Sequence, residues 1–189
     1  MARVLFIVML METNDETLAL AAANGDGTAF GVLLQRHYDR LFGLCFRLLG
    51  SRAEAEDLTQ DICTALPAKL ARFRGEAKFT TWLYRVAINA AHDRRRRHAT
   101  HAKASDGWGG WEIGRQADND EMREKQDWLA AAITALPDEL RDTVSLILGQ
   151  ELTHAQTGEI LGVSEGTIAW RMSEVKKHLR AYHQKEGYP

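Results

Sequence analysis

The chain has 189 residues, of which 45% are hydrophobic and 26% are charged, and its formal net charge is -2. This composition excludes a chain that is disordered throughout, and the length allows one large or two small domains. The two cysteines, Cys45 and Cys63, lie at apolar positions of predicted helices and lack CxxC spacing, so we expect reduced thiols and neither a disulfide framework nor a metal site.

The chain begins with an apolar run from Val4 to Met11, far shorter than the roughly 20 residues that a membrane-spanning helix needs. Polar residues follow it, where a signal peptide would have a small-residue cleavage site. We therefore expect no membrane insertion and a cytoplasmic protein. We interpret the run as an extension upstream of a translation start at Met9 or Met11.

Helical periodicity with only three prolines predicts an all-α fold. A long helix is expected from about Thr28 to Leu49, with Gly50 at its C-cap and with Ser51 and Glu54 as the capping box of the next helix. Pro67 is expected to kink or end that next helix. The apolar stripe of the long helix consists of Phe30, Leu33, Leu34, Tyr38, Leu41, Phe42, Cys45 and Leu49.

The segment FRGEAKFTTWLYRVAINAAHDRRRR, residues 73–97, carries the most informative pattern. Leu83, Val86, Ala87 and Ala90 form an apolar stripe, and a second face combines an aromatic ring, an amide and basic side chains. Such a face suits an unstacked base and its phosphates. The alternative is that the tryptophan is a half-buried core residue and the arginines form a favourable cluster at a helix C-terminus. The second face consists of Trp82, Arg85, Asn89, His92 and Arg96, and Arg94 to Arg97 close the helix.

Glycine, polar residues and acidic charge then replace the helical stripe, which predicts a linker over 101–126. Its two tryptophans, Trp108 and Trp111, suggest that it docks on a partner in at least one state. A strap that packs back on its own domain is the alternative interpretation.

The segment from Leu152 to Arg180 has the capping residues and the turn glycine that are typical of a helix-turn-helix. Thr153 with Gln156 caps a first helix, Gly162 permits the turn, and Ser164 caps the second helix. A generic helical hairpin does not explain this glycine and serine. Ile168, Met172, Val175 and Leu179 are expected to face inward, which leaves Glu165, Thr167, Ala169, Trp170, Arg171, Ser173, Glu174 and Lys177 for the major groove.

Together, EAEDLTQDICTAL, the 73–97 segment and ALPDELRDTVSLILGQELTHAQTGEILGVSEGTIAWRMSEVKKHLR resemble, in order and spacing, the two conserved domains of bacterial RNA polymerase sigma factors of the extracytoplasmic function (ECF) group. The resemblance implies two small helical domains joined by a flexible linker. The first (12–100) would bind core polymerase and the minus-ten element, 101–126 would be the linker, and the second (127–185) would bind the minus-thirty-five element with its helix-turn-helix.

The resemblance also implies residue roles. It implies that the polar side of the second motif helix docks on core polymerase through Asp57, Leu58, Gln60 and Asp61. The minus-ten element would be recognised and melted by Trp82, Arg85, Asn89, His92, Arg94, Arg95 and Arg96. The minus-thirty-five element would be read by Glu165, Thr167, Ala169, Trp170, Arg171, Ser173, Glu174, Lys176 and Lys177, with the basic members also touching phosphates.

Implied partners are core RNA polymerase, promoter DNA and an anti-sigma factor, with no cofactor and no catalytic residues. A stand-alone helix-turn-helix repressor or activator that acts by occupancy is the alternative from another class. A helical enzyme is disfavoured, because the sequence has no HExxH, P-loop or nucleophile elbow.

The sequence departs from the family pattern at several positions. Ala169 and Glu174 stand where basic residues are usual in the recognition helix, and Trp170 stands where a small residue is common. Thr157 and Gly158 replace an apolar residue and an alanine, which is expected to loosen the second domain, because glycine costs about 1 kcal/mol relative to alanine in a helix.

Overall fold

A computed structural model describes residues 12–104 and 120–186, and all regular secondary structure within these ranges is α-helical, which confirms the all-α prediction. The first four helices form the N-terminal domain and the last four form the C-terminal domain. The helices are α1 (Asp15–Ala23), α2 (Gly27–Leu49), α3 (Arg52–Leu70), α4 (Phe79–Ala104), α5 (Asp120–Thr134), α6 (Asp138–Gln150), α7 (His154–Leu161) and α8 (Glu165–Glu186).

Local side-chain caps explain where several helices begin and end. The Asp26 carboxylate accepts the Thr28 and Ala29 amides at the start of α2, and the Ser51 hydroxyl accepts the Glu54 amide at the start of α3. Gly50 adopts a left-handed conformation with φ of 75° and donates its amide to the end of α2. These boundaries are those that the sequence predicted.

Two other boundaries differ from the prediction. Pro67 does not end α3, which continues to Leu70, because the buried Leu66 and Leu70 anchor its last turn in the core. The predicted linker 101–126 is helical at both ends, since α4 and α5 enter it and neither end contains a helix-breaking glycine or proline. The segments that contain Val4 to Met11, Trp108 and Trp111 lie outside the described residues.

The N-terminal core forms around α2. Leu33, Leu41, Leu44 and Leu48 of this helix are at most 2% exposed, and they belong to one apolar cluster with residues of α1, α3 and α4. Tyr38, which the predicted stripe placed in this core, is 40% exposed instead.

His37 takes the inward position beside it because Asp15 binds its ring. The His37 Nε2 atom lies 2.8 Å from the Asp15 carboxylate, which also accepts Arg36 at 2.6 Å. Helix α1, which the sequence pattern did not predict, supplies that carboxylate. It also supplies the Glu16 carboxylate that accepts the Phe79 amide at the start of α4, at 2.9 Å.

The C-terminal domain contains the predicted helix-turn-helix. Thr153 and Gln156 form a reciprocal capping box at the start of α7, Gly162 ends that helix with φ of 69°, and the Ser164 hydroxyl caps α8. Ile168 and Val175 of α8 are buried, and Met172 and Leu179 are partly buried against the domain core. The predicted inward face of α8 is therefore confirmed.

The two domains are packed against each other. Helix α6 lies along α2, and α7 lies against α4. Leu146 of α6 and Ile160 of α7 are buried within the same apolar cluster as the N-terminal core. The arrangement of the domains is therefore fixed in this structure by an interface with an apolar centre.

Gly158 meets a steric requirement that the sequence pattern did not indicate. The turn of the helix-turn-helix packs closely against this glycine, and the Val163 amide donates to the Gly158 carbonyl at 3.0 Å. A Cβ atom at this position would lie 2.6 Å from the Val163 carbonyl oxygen. The glycine therefore permits the close approach of α7 to the turn, and this steric requirement outweighs its lower helix propensity.

We predict that Gly158→Ala destabilises the protein by about 1 to 3 kcal/mol, because the backbone must shift to admit the methyl group. Gly166→Ala in α8 is the matched control, since an added Cβ there meets only the Ser164 hydroxyl at 3.8 Å. Urea unfolding of both variants measures the difference. Equal midpoints for the two variants would show that the close approach is unimportant.

Candidate nucleic-acid interface

The four consecutive arginines of α4 do not form one basic surface, because successive helical residues point about 100° apart. Arg94 reaches α3, where its guanidinium lies 3.3 Å from Asp57 and 3.6 Å from Asp61. Arg95 points towards the C-terminal domain and is 13% exposed. Arg96 is 79% exposed and pairs with Asp93 on its own helix at 3.0 Å.

Trp82 lies at the edge of the N-terminal core. Its side chain is partly buried, and its ring centroid lies 5.5 Å from that of Phe73 and 5.9 Å from that of Phe79. The structure thus places it as the half-buried core residue that the sequence left open as the alternative. The ring still borders the face that carries Arg85 and Asn89, both of which are exposed.

Two further residues of the predicted minus-ten face contact the C-terminal domain. Arg85 donates to the backbone carbonyls of Glu159 and Ile160 near the end of α7. The His92 Nε2 atom lies 2.5 Å from the Asp142 carboxylate of α6. In this conformation the predicted DNA-binding side of α4 is therefore partly occupied by the same chain.

Asp142 is the centre of this contact. Its side chain is only 5% exposed, and its second oxygen accepts Arg95 at 3.0 Å. Asp138, one turn earlier on α6, lies 3.6 Å from both Arg95 and Arg141. A buried carboxylate is stable only when cations or donors compensate its lost hydration, and α4 supplies two of them here.

Polar contacts extend the interface along α2. The Arg47 guanidinium donates to the Ser145 carbonyl at 3.1 Å and lies against Gly149, where an added Cβ would collide with it. The Tyr84 hydroxyl donates to the Gln150 side chain at 2.6 Å, and Gln150 in turn donates to the Arg40 carbonyl at 2.9 Å. Apolar packing at the centre and hydrogen bonds at the rim together hold the domains in this arrangement.

The predicted polymerase-docking residues of α3 divide into two kinds. Asp57 and Asp61 are 68% and 77% exposed, and Gln60 is also exposed. Leu58 is 3% exposed and belongs to the core, so the expectation that it contacts a partner is corrected. Its position in the helical repeat points it inward with Ile62, and its role is to support the exposed side from beneath.

The recognition helix α8 leaves most of its predicted DNA residues accessible. Arg171 is the exception, since its guanidinium pairs with Glu139 of α6 at 2.9 Å and is 12% exposed. Glu174 accepts Lys177 at 2.6 Å, and Trp170 is 59% exposed. Exposed residues of the predicted set are Glu165, Ala169, Trp170, Ser173, Lys176 and Lys177, and Thr167 is partly buried.

Cys45 is a buried core residue, and burial raises the pKa of its thiol to about 11. Among residues 12–104 and 120–186, no group of His, Cys, Asp or Glu is arranged to hold a metal ion. No helix within these ranges is long and apolar enough to cross a membrane.

The sequence patterns missed Asp138 and Asp142. One signal was available: Asp142 lies four residues before the buried Leu146, and therefore on an inward-facing position of α6. A carboxylate at such a position indicates a cationic partner from another element. The identity of that partner, α4, required the three-dimensional structure.

A helical domain that displays a polar and basic helix, packed on a helix-turn-helix domain, defines a DNA-binding transcription factor. The family models for Sigma-70 region 2 and Sigma-70, region 4 match residues 33–101 and 132–181. The chain therefore belongs to the sigma-70 family of RNA polymerase sigma factors, in its ECF group, and is a transcription initiation factor.

Curated relatives support this assignment. The ECF RNA polymerase sigma factor SigW of Bacillus subtilis (strain 168) is 30% identical over 168 residues, which cover 82% of this chain and 89% of SigW. SigM of Mycobacterium tuberculosis (strain ATCC 25618 / H37Rv) is 30% identical, over 89% of this chain and 84% of SigM.

Solved structures share the fold. CnrH in complex with the cytosolic domain of CnrY has a TM-score of 0.67 and 24% identity, over 90% of this chain and 97% of CnrH. The sigma factor RpoE of Bartonella quintana, in complex with the anti-sigma factor NepR, has a TM-score of 0.69 and 22% identity, over 80% and 94% of the two chains.

We predict that Asp142→Asn lowers the pKa of His92. The hydrogen bond that the His92 ring donates to the Asp142 carboxylate raises that pKa above the ordinary 6.5, against an opposing effect of partial burial. Because the docked state has the higher pKa, this contact stabilises the interface fully below pH 6.5 and loses its contribution as the pH rises through the raised pKa. An NMR titration of the His92 ring measures the shift.

The charged groups around His92 also include Asp138 and Arg95. Asp93→Asn is the control, since Asp93 pairs with Arg96 and should leave the pKa of His92 unchanged. A pKa that is the same in Asp142→Asn and in the original protein would contradict the contact.

Proposed function

We propose that this protein binds core RNA polymerase in the cytoplasm, directs it to specific promoters and assists the opening of promoter DNA. In this proposal residues 12–100 bind the polymerase and the minus-ten element, 101–126 form the linker, and 127–185 bind the minus-thirty-five element. The single observation that carries it is the combination of an exposed acidic side on α3 and an exposed face on α4 that bears Arg85 and Asn89 with a complete helix-turn-helix.

The polymerase-docking surface consists of Asp57, Gln60 and Asp61 on the exposed side of α3, supported from within by Leu58. Two carboxylates one helical turn apart suit a basic partner. Arg94, which the sequence assigned to DNA, bridges these carboxylates and is only 19% exposed. We assign it to positioning Asp57 and Asp61 for the polymerase rather than to a phosphate.

The minus-ten surface consists of the polar side of α4, where Asn89 can pair with a base edge and basic side chains can neutralise phosphates. Arg95 belongs to this side but is covered by α6 in this structure. Trp82 borders this surface, and a small outward rotation would be needed for its ring to stack on a base. Its proposed members are Trp82, Arg85, Asn89, His92, Arg95 and Arg96.

The minus-thirty-five surface is the exposed side of α8. Lys176 and Lys177 are placed to contact phosphates, whereas Arg171 must first leave Glu139. Trp170 can contact a thymine methyl, and Glu174 can accept from a cytosine amino group. Base readout is assigned to Glu165, Thr167, Ala169, Trp170, Ser173 and Glu174.

Control by an anti-sigma factor is also proposed. The two solved structures described above are both complexes, one with the cytosolic domain of CnrY and one with the anti-sigma factor NepR. A partner that covers the docking surface of α3 and the exposed side of α4 would prevent both polymerase and promoter binding.

Run-off transcription on fragmented source DNA, with and without this protein and core polymerase, tests the proposal. We expect new transcript starts only when both components are present, with two spaced motifs upstream. Sequence-specific binding without new starts would favour the alternative, a stand-alone regulator that acts by occupancy.

We predict that Asp61→Arg abolishes promoter-directed transcription, because a cation replaces an exposed docking carboxylate. Glu186→Arg, at the far end of α8, is the charge-matched control and should transcribe normally. Circular dichroism establishes that both variants fold. Normal transcription by a folded Asp61→Arg variant would remove the docking role.

We predict that Arg94→Gln weakens core polymerase binding by up to about fivefold, the range expected when a pair worth about 0 to 1 kcal/mol is lost. Arg96→Gln removes the same charge from an exposed position and should leave polymerase affinity unchanged. Fluorescence anisotropy with labelled protein measures both. Equal polymerase affinities for the two variants would contradict the positioning role of Arg94.

A further inference from the structure

Helix α6 binds basic side chains from both proposed DNA-binding helices. Asp142 accepts His92 and Arg95 of α4, and Asp138 lies 3.6 Å from Arg95. Glu139 pairs with Arg171 of the recognition helix at 2.9 Å. One short acidic stretch of α6 therefore neutralises cations that the two promoter elements would otherwise neutralise.

The carboxylates of α6 form a row of negative charges along one side of the helix. Asp138 and Asp142 are four residues apart, which places them roughly 6 Å apart along one side of the helix. A strand of DNA presents a regular row of negative phosphates to the same kind of donors. The imidazole and guanidinium groups of α4 are thus already paired with anions in this structure.

The contact at Asp142 excludes simultaneous phosphate binding by the same groups. Its carboxylate is 5% exposed and Arg95 is 13% exposed, so neither can exchange its partner without separation of α6 from α4. Arg85 remains exposed, but its guanidinium donates to the carbonyls at the end of α7. The apolar contacts of Leu146 and Ile160 hold α6 and α7 against the N-terminal domain and so keep these polar contacts in place.

We propose that α6 acts as an internal mimic of promoter DNA, which latches the C-terminal domain onto α4 and keeps the isolated protein closed until the domains separate. The inference rests on the proposed role of α4 in minus-ten binding. Contact of Arg95 with Asp142 and contact of Arg95 with DNA are mutually exclusive. A protein in which about 90% of molecules are closed binds DNA about tenfold more weakly than one that is open.

The test removes the latch from the α6 side and leaves every proposed DNA-binding residue of α4 in place. The full-length variants are Asp142→Ala and Asp142→Asn, with Asp93→Ala as the matched control, because Asp93 pairs with Arg96 but contributes no contact between the domains. Gly149→Leu is a second route to opening without a change of charge, since a Cβ there would collide with the Arg47 guanidinium and would displace it from the Ser145 carbonyl at the interface.

Two measurements are made on each folded variant without polymerase. Small-angle X-ray scattering reports the separation of the domains, and anisotropy of a labelled 20-nucleotide single-stranded DNA of random sequence reports DNA binding. We expect the Asp142 variants and Gly149→Leu to have a larger radius of gyration and to bind the DNA about threefold to tenfold more tightly. Asp93→Ala should match the original protein in its radius of gyration.

Other outcomes overturn the inference in distinguishable ways. An unchanged radius of gyration in all three interface variants would show that Asp142 is not a latch. Open domains without tighter DNA binding would show that α4 is not the DNA-binding surface, and this result would count against the proposed function as well. Tighter binding by Asp93→Ala alone would attribute DNA affinity to the freed Arg96 and not to opening.

Discussion

The carboxylate of Asp142 is the constraint on which the arrangement of the two domains depends. Its side chain is 5% exposed, and an ionised carboxylate in that setting requires compensating cations. The C-terminal domain supplies Arg141 nearby but directs it towards Asp138 and backbone carbonyls. His92 and Arg95 of α4 complete the environment of Asp142, so that α6 is electrostatically satisfied only when it is docked on the N-terminal domain.

Helical geometry determines how the basic run of α4 is used. Four adjacent arginines cannot share one face of a helix, so each contacts the groups that lie on its own side. Arg94 meets the carboxylates of α3, Arg95 meets those of α6, and Arg96 meets Asp93. The arginines that form one basic run in the sequence therefore lie at three different places, which are the docking surface, the domain interface and the solvent-exposed surface.

The sequence was sufficient for those features that depend on neighbouring residues. The start and end of α2, the capping box of Thr153 and Gln156, and the turn at Gly162 follow from side chains within a few positions of the backbone groups they satisfy. The buried side of α8 follows from helical periodicity in the same way. Such interactions are local, so a single sequence contains all their partners.

Features that depend on distant residues were missed or misread. His37 is buried in place of Tyr38 because Asp15, on an unpredicted helix, binds its ring. Leu58 was grouped with docking residues although its own helical position makes it part of the core. Gly158 was interpreted from helix propensity alone, whereas the nearby Val163 carbonyl leaves no room for a Cβ atom at this position.

The interface between the domains explains why binding residues cannot be read from their chemical type alone. A side chain suited to phosphate is equally suited to a carboxylate, and α6 presents carboxylates to Arg95 of α4 and Arg171 of α8. The intramolecular partner is present at a high effective concentration, so it competes with a dissolved anion without a high intrinsic affinity. Separation of the domains would remove that competition, so the proposed promoter binding would depend on the opening of this interface.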